Sequence, residues 1–386
     1  MSNRHGTGAI FLRNFSAYPQ DRLCNAFIGS AEDCSVRQAV DLNAARWPSR
    51  IREQLAVLPG RAWNRTHRNR WRPLPVSRDS IARALAAIPF PPDLIYAICW
   101  GAEGLATLGA VVAAFPGVPL LLHIHDFWPS STDRFPSLLR ALAPRLSATW
   151  AVSSAIARFV EKATARPCSV EPQFHIELPA IYKKEHRPAG PDFRTALVGN
   201  VWQNALFADV KNAWRSCQRR LPGLGPVEWY CPPEVVTRVR AAGITPEPEI
   251  VPRGFLRSDA LWQMLVSVDL ALLPFSRGNE PATDYERYSL PSRITELAAA
   301  GVPMFGLTGP ATPLAEYMSD KQLGPFEPAA DEEKIAAALC ALIVDRSRRE
   351  ELGRRARSLA ETEFPLRPFQ QSLYLRLAAL ASPAAP

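Results

Sequence analysis

Arg293 and Glu296 stand three residues apart in the run Tyr288 to Leu307, YSLPSRITELAAAGVPMFGL. That spacing puts both side chains on one face of a helix. Pro291 suits the helix start, where its missing N–H leaves no bond unmade, and Gly301 suits the end. The first turn of such a helix carries partial positive charge and unpaired amides, which fits a diphosphate. Ser292 lies in that turn, and Arg293 adds a fixed cation. Glu296 has two acceptor oxygens and can take hydrogen bonds from both hydroxyls of a ribose. The plainer alternative is an amphipathic helix carrying an ordinary i,i+3 Arg–Glu pair.

Three more groups of residues could do chemistry. His123-Ile124-His125-Asp126-Phe127-Trp128 ends an apolar run that reads as a buried strand. Ligand sites of α/β proteins form at the carboxyl ends of parallel strands. Alternation along that strand puts His123 on the same face as His125, and core histidines would show the same pattern. Gly199-Asn200 follows another strand, where glycine lets a phosphate or sugar approach the backbone. Arg253-Gly254-Phe255 follows a third and could flank a base. The polar stretch Phe275 to Glu286 reads as a loop whose Glu280, Asp284 and Glu286 are solvated charges.

The chain holds no Asp-x-Asp, no Walker-type loop, no full Gly-x-Gly-x-x-Gly, no His-Glu-x-x-His and no Gly-x-Ser-x-Gly. We therefore expect no metal site and no cofactor beyond a bound co-substrate. The net charge of +8 suggests anionic partners such as phosphates, nucleotides, acidic headgroups or nucleic acid, without choosing among them. Cys24, Cys34, Cys99, Cys168, Cys217, Cys231 and Cys340 are scattered and odd in number, which argues against a disulfide framework. Together with the lack of a recognisable signal peptide, this leads us to expect a cytoplasmic protein.

A length of 386 residues fits two α/β domains, and short apolar runs alternate with helical patterns throughout. Expected strands in the first half are 9–13, 93–99, 120–125, 148–152 and 169–173. The Pro- and Gly-rich stretch HRPAGPDF at 186–193 then reads as a linker. In the second half, strands are expected at 195–199, 227–231, 249–251, 270–274 and 302–307. These patterns predict a first Rossmann-like domain over 1–190, a second over 191–364, and a returning helix and tail over 365–386. Arg61, Arg65, Arg68, Arg70 and Arg72 interleave with Trp63 and Trp71. Arg61–Arg72 is either a solvated loop or a peripheral contact for an anionic membrane face or acceptor.

The run SLPSRITELAAAGVP resembles the nucleotide-binding signature of GT-B glycosyltransferases, especially the retaining family 4-like enzymes. The His-Asp-x-Trp segment at His125 is similar to one in the same family's first domain. The resemblance implies two Rossmann-like domains facing across a cleft. It gives Arg293 the phosphate role, Glu296 the ribose role and His125 a role at the donor sugar, with Asp126 beside it. Gly199 and Asn200 fall in the donor-site turn, with Ser292 and Arg253 as further donor contacts. Two departures stand out. Tyr288 occupies the place of a second glutamate, and Asn200 and Trp202 stand where the family carries a basic pair.

The activity implied is transfer of a sugar from a nucleoside-diphosphate sugar to a glycan, lipid-linked or small-molecule hydroxyl. It would run without a metal and with retention of configuration. A sugar-nucleotide 2-epimerase on the same fold would give a different product. A silent paralogue would bind without turnover. A nucleic-acid-binding protein would bind a generic duplex with steep salt dependence.

Overall fold

The computed structural model describes residues 13–27, 38–41, 85–99, 102–125 and 134–382, except 87, 89, 173, 184, 202, 257, 278–283, 329 and 330. Asp126, the Arg61–Arg72 segment and the expected strand at 9–13, apart from Arg13, lie outside these residues. Two compact units emerge.

The first unit carries a four-stranded parallel sheet in the order β3-β4-β5-β6: Ile95–Cys99, Leu120–Ile124, Leu146–Ala151 and Ser169–Val170. Every residue of β4 is buried, as expected of a parallel strand covered on both faces. Helices α1 (Ala102–Ala114), α2 (Phe135–Leu142) and α3 (Ser154–Thr164) accompany the sheet. They contribute Leu105, Leu139 and Val160 to the core. A separate parallel pair joins β1 (Cys24–Phe27) to β2 (Gln38–Asp41).

The second unit holds a six-stranded parallel sheet in the order β12-β11-β10-β7-β8-β9. Its strands are β7 Thr195–Val198, β8 Val227–Tyr230, β9 Ile250–Pro252, β10 Leu270–Pro274, β11 Met304–Leu307 and β12 Phe326–Glu327. This is the doubly wound order, with its switch point between β7 and β10. One face of the sheet packs on α4 (Asn204–Arg220), α5 (Pro233–Ala241) and α10 (Glu332–Val344). The other packs on α6 (Ser258–Val266), α8 (Ile294–Ala299), α9 (Pro313–Lys321) and α11 (Arg346–Glu363). Successive residues of β7 divide accordingly: Ala196 belongs to the second cluster and Leu197 to the first.

The units divide elsewhere than at 190/191 and 364/365. Residues 172–191 pack with the second unit, because Ile176 exchanges backbone bonds with Phe364 and Leu366, and the Lys183 N–H donates to Ala300. The expected linker is in part core: His186 and Phe193 are each 3% exposed. Gly301, at φ +70°, closes α8 against this segment. Its backbone angle favours glycine, and a Cβ there would press on the Lys183 carbonyl oxygen at 3.1 Å.

Helix α12 (Leu366–Ala381) closes the chain, and residues 370–382 group with the first unit. Gln370 donates to the Arg13 carbonyl, Tyr374 to that of Asn14, and Arg376 pairs with Glu171 at 2.6 Å. No helix among the described residues is long and apolar enough to cross a membrane.

Candidate functional site

In the second unit, the site is built on the turn after β7. Gly199 takes φ +104°, which an L side chain rarely adopts. Its N–H donates to the Tyr230 carbonyl, and its own carbonyl accepts from Trp229 Nε1 at 3.0 Å. The buried Trp229 ring thereby anchors the turn from below. Arg293 passes over it: a Cβ at Gly199 would lie 3.8 Å from Arg293 Cγ and 3.9 Å from Nε. The structure thus brings Gly199 and Arg293 together from positions 94 residues apart in sequence (293 − 199).

Helix α8 begins at Ile294 rather than at Pro291, and Pro291 to Arg293 form the turn leading into it. The Ile294 and Thr295 N–H groups bond to the carbonyls of Pro291 and Ser292. Those two amides are therefore engaged, and the anion-binding capacity of this turn rests on the Arg293 side chain more than on free backbone donors. Ser292 is exposed.

Arg293 Nη1 lies 3.4 Å from Glu296 Oε1, with both side chains partly buried. The second carboxylate oxygen, Oε2, is buried and has no hydrogen-bond partner among the described residues. A buried carboxylate oxygen without a donor is costly in an empty site and useful in a filled one.

Asn200 Oδ1 accepts from Arg238 Nη2 at 2.9 Å, and the same guanidinium donates to the Val201 carbonyl. Arg238 sits on α5, and the sequence reading passed over it. Arg253 takes a different course. It follows β9, is half-exposed and pairs with Glu228 Oε1 at 3.5 Å. Glu228 also holds Arg194 and the Tyr230 hydroxyl. Glu286 corrects the reading of its stretch as a solvated loop. It is 4% exposed and lies on a short helix, α7 (Asp284–Tyr288). Glu280 lies outside the described residues.

In the first unit, His125 follows β4 directly and is 5% exposed. Its ring meets that of His123 edge-on, with centroids 4.4 Å apart, as strand alternation predicts. His123 Nδ1 lies 2.7 Å from the Tyr96 hydroxyl. Burial pulls the His125 pKa down to about 3 and holds that of His123 well below the usual histidine value. Both rings are thus neutral at physiological pH. His125 Nε2 is buried and has no hydrogen-bond partner among the described residues. His125 can therefore hydrogen-bond a neutral ligand but cannot serve as a fixed cation.

No protein-family model and no curated protein matches this chain. Solved structures do. The chain is similar to Anabaena HepE in complex with UDP-glucose, at 16% identity and a TM-score of 0.63, covering 98% of this chain and 97% of that one. Sucrose-phosphate synthase from Thermosynechococcus elongatus matches at 14% identity and a TM-score of 0.59, over 78% of each chain. The pneumococcal O-GlcNAc transferase GtfA, in complex with UDP and GlcNAc, matches at 12% identity and a TM-score of 0.53, over 79% of this chain and 60% of that one. The likeness establishes the fold: two Rossmann-like domains of the GT-B class.

Proposed function

We propose that this protein transfers a glycosyl group from a nucleoside-diphosphate sugar to a hydroxyl acceptor. The observation that carries the reading is the buried, unpartnered Glu296 Oε2 beside Arg293, which itself lies over the Gly199 turn. A ribose hydroxyl supplies the donor that Oε2 lacks. The diphosphate supplies negative charge that Arg293, among the described residues, meets in Glu296 alone. The fold relatives add weight, since HepE holds UDP-glucose and GtfA holds UDP with GlcNAc.

In the reaction, the bond between the anomeric carbon and the diphosphate oxygen breaks, the acceptor oxygen bonds to that carbon, and the proton of the acceptor hydroxyl ends on the departing diphosphate. Negative charge grows on the leaving diphosphate, and a preorganised guanidinium stabilises it without reorganising. We assign this task to Arg293 and read the reaction as metal-independent and retaining. His125 is assigned a hydrogen bond to the reacting sugar as a neutral group, and Asp126, its neighbour in sequence, a part in proton transfer. The acceptor class is a glycan, a lipid-linked sugar or a small molecule.

Thermal unfolding against a panel of nucleoside diphosphates and their sugars, with and without EDTA, tests this. One family of ligands at about 100 times its Kd is expected to add about 2.7 kcal/mol of apparent stability. The shift should persist in EDTA and vanish in Arg293→Ala. A wild-type protein that no member of the panel stabilises would overturn the reading.

A further inference from the structure

Arg238, like Arg349, differs from most arginines of the second unit. Arg194, Arg215, Arg240, Arg253, Arg277 and Arg293 each lie within ion-pair distance of a carboxylate. Arg238 has no such partner among the described residues, although burial is strong enough to pull its pKa below the usual arginine value. Its Nε is buried and unbonded. Its bonds go to the turn after β7, to Asn200 Oδ1 and the Val201 carbonyl. A partly buried cation that meets only neutral acceptors leaves positive potential where it sits.

The bond to Asn200 has a second consequence. A guanidinium has donors only, so the side-chain atom that meets it must be the amide oxygen. The Asn200 NH2 group is therefore turned away from Arg238. It has no protein acceptor among the described residues, and Asn200 is only half-buried. The same turn carries Gly199, with Arg293 over it.

We propose that Arg238 is a positioning residue for the diphosphate: from α5 it locks the Asn200 amide with both N–H donors presented at the Gly199 turn, and it backs that turn with a positive charge. The occupant is an anion of the diphosphate class, so the inference rests on the donor site proposed above. Arg238 acts through Asn200 and through its field, whereas Arg293 lies over the turn itself.

The test is titration calorimetry with uridine diphosphate and with uridine, which lacks the phosphates. The ratio of the two affinities reads the anion site apart from the ribose and base. Arg238→Gln is expected to cut that ratio about 10-fold while leaving uridine affinity within about twofold, and Arg238→Lys, which keeps the charge, to recover part of the loss. Should Arg238→Gln fail to fold, Asn200→Ala carries the test, since it spares the bond from Arg238 to Val201. A smaller loss of ratio is expected from it, because the charge of Arg238 stays in place. Folded variants that keep the wild-type ratio would overturn the role of Arg238 and leave the donor site standing. If the stability panel selects another base, its diphosphate and nucleoside replace the uridine pair, and a wild-type protein that binds no nucleoside diphosphate would overturn both.

Discussion

Asp269→Ala is expected to destabilise the protein by about 3–5 kcal/mol, a large share of the roughly 5–15 kcal/mol that holds a domain folded. Asp269 is fully buried at the foot of β10. Its Oδ1 accepts from Lys183 Nζ at 2.9 Å and from the Arg187 N–H at 3.0 Å. Its Oδ2 accepts from Arg187 Nη1 and the Arg194 N–H, each at 3.0 Å. Burial alone would raise the Asp269 pKa, but the two backbone donors and Lys183 outweigh it and hold the carboxylate below its usual range. Removal strands Lys183, which is 4% exposed on its side chain, together with two backbone N–H groups. Lys183→Met with Asp269→Leu should recover only part of the loss, since both amides stay unpaired. Urea unfolding is the check, and a single-variant loss under about 1 kcal/mol would contradict the account.

Acid is expected to destabilise this protein well before its carboxylates titrate. His123, His125 and His186 are at most 5% exposed. Burial, first among the causes, depresses the pKa of each, to about 3 for His125 and about 4 for His186. The unfolded chain takes up protons near pH 6.5, while the folded chain does not. The unfolded state therefore binds more protons below that value, and stability falls as pH falls. The contribution is complete above about pH 6.5 and declines by up to about 1.4 kcal/mol per pH unit for each histidine. It stops declining for His186 near pH 4 and for His125 near pH 3. At pH 5 His125 and His186 each cost about 2 kcal/mol. Asp269 is held below its usual carboxylate range, so it is ionised at pH 5 as well as at neutral pH. Urea midpoints at pH 7.5 and pH 5 test the claim, and equal stability at the two values would refute it.

The strands that carry the site were legible because parallel strands buried on both faces become short, nearly continuous apolar runs. Leu120–Ile124 and Leu270–Pro274 appear at their expected places for that reason. The pairing of Arg293 with Glu296 followed from helical spacing, and the edge-on contact of His123 with His125 from strand alternation. What escaped was tertiary or very short. Helix α7, DYERY, has too few residues to show a period, and nothing in the chain marks Glu286 as buried. Helix α9 did carry a signal: Thr312 caps it by accepting from the Ala315 N–H, and Pro313 follows. Arg238 was invisible, since no local pattern ties the second half of α5 to a turn that lies before α4. The division near residue 172 was hidden likewise. Pro and Gly mark a break at HRPAGPDF, but the contact of Lys183 with Asp269 decides where the segment packs.

The most direct test of the donor site pairs one atom of the protein with one of the ligand. Calorimetry would compare uridine diphosphate with its 2′,3′-dideoxy analogue on the wild type and on Glu296→Ala. If Glu296 Oε2 receives a ribose hydroxyl, the wild type should lose about 10-fold or more in affinity for the analogue. Glu296→Ala should bind both ligands at that weaker level, because the partner is already gone. Equal penalties for the missing hydroxyls in the two proteins would contradict the account, since the hydroxyls would then bond elsewhere.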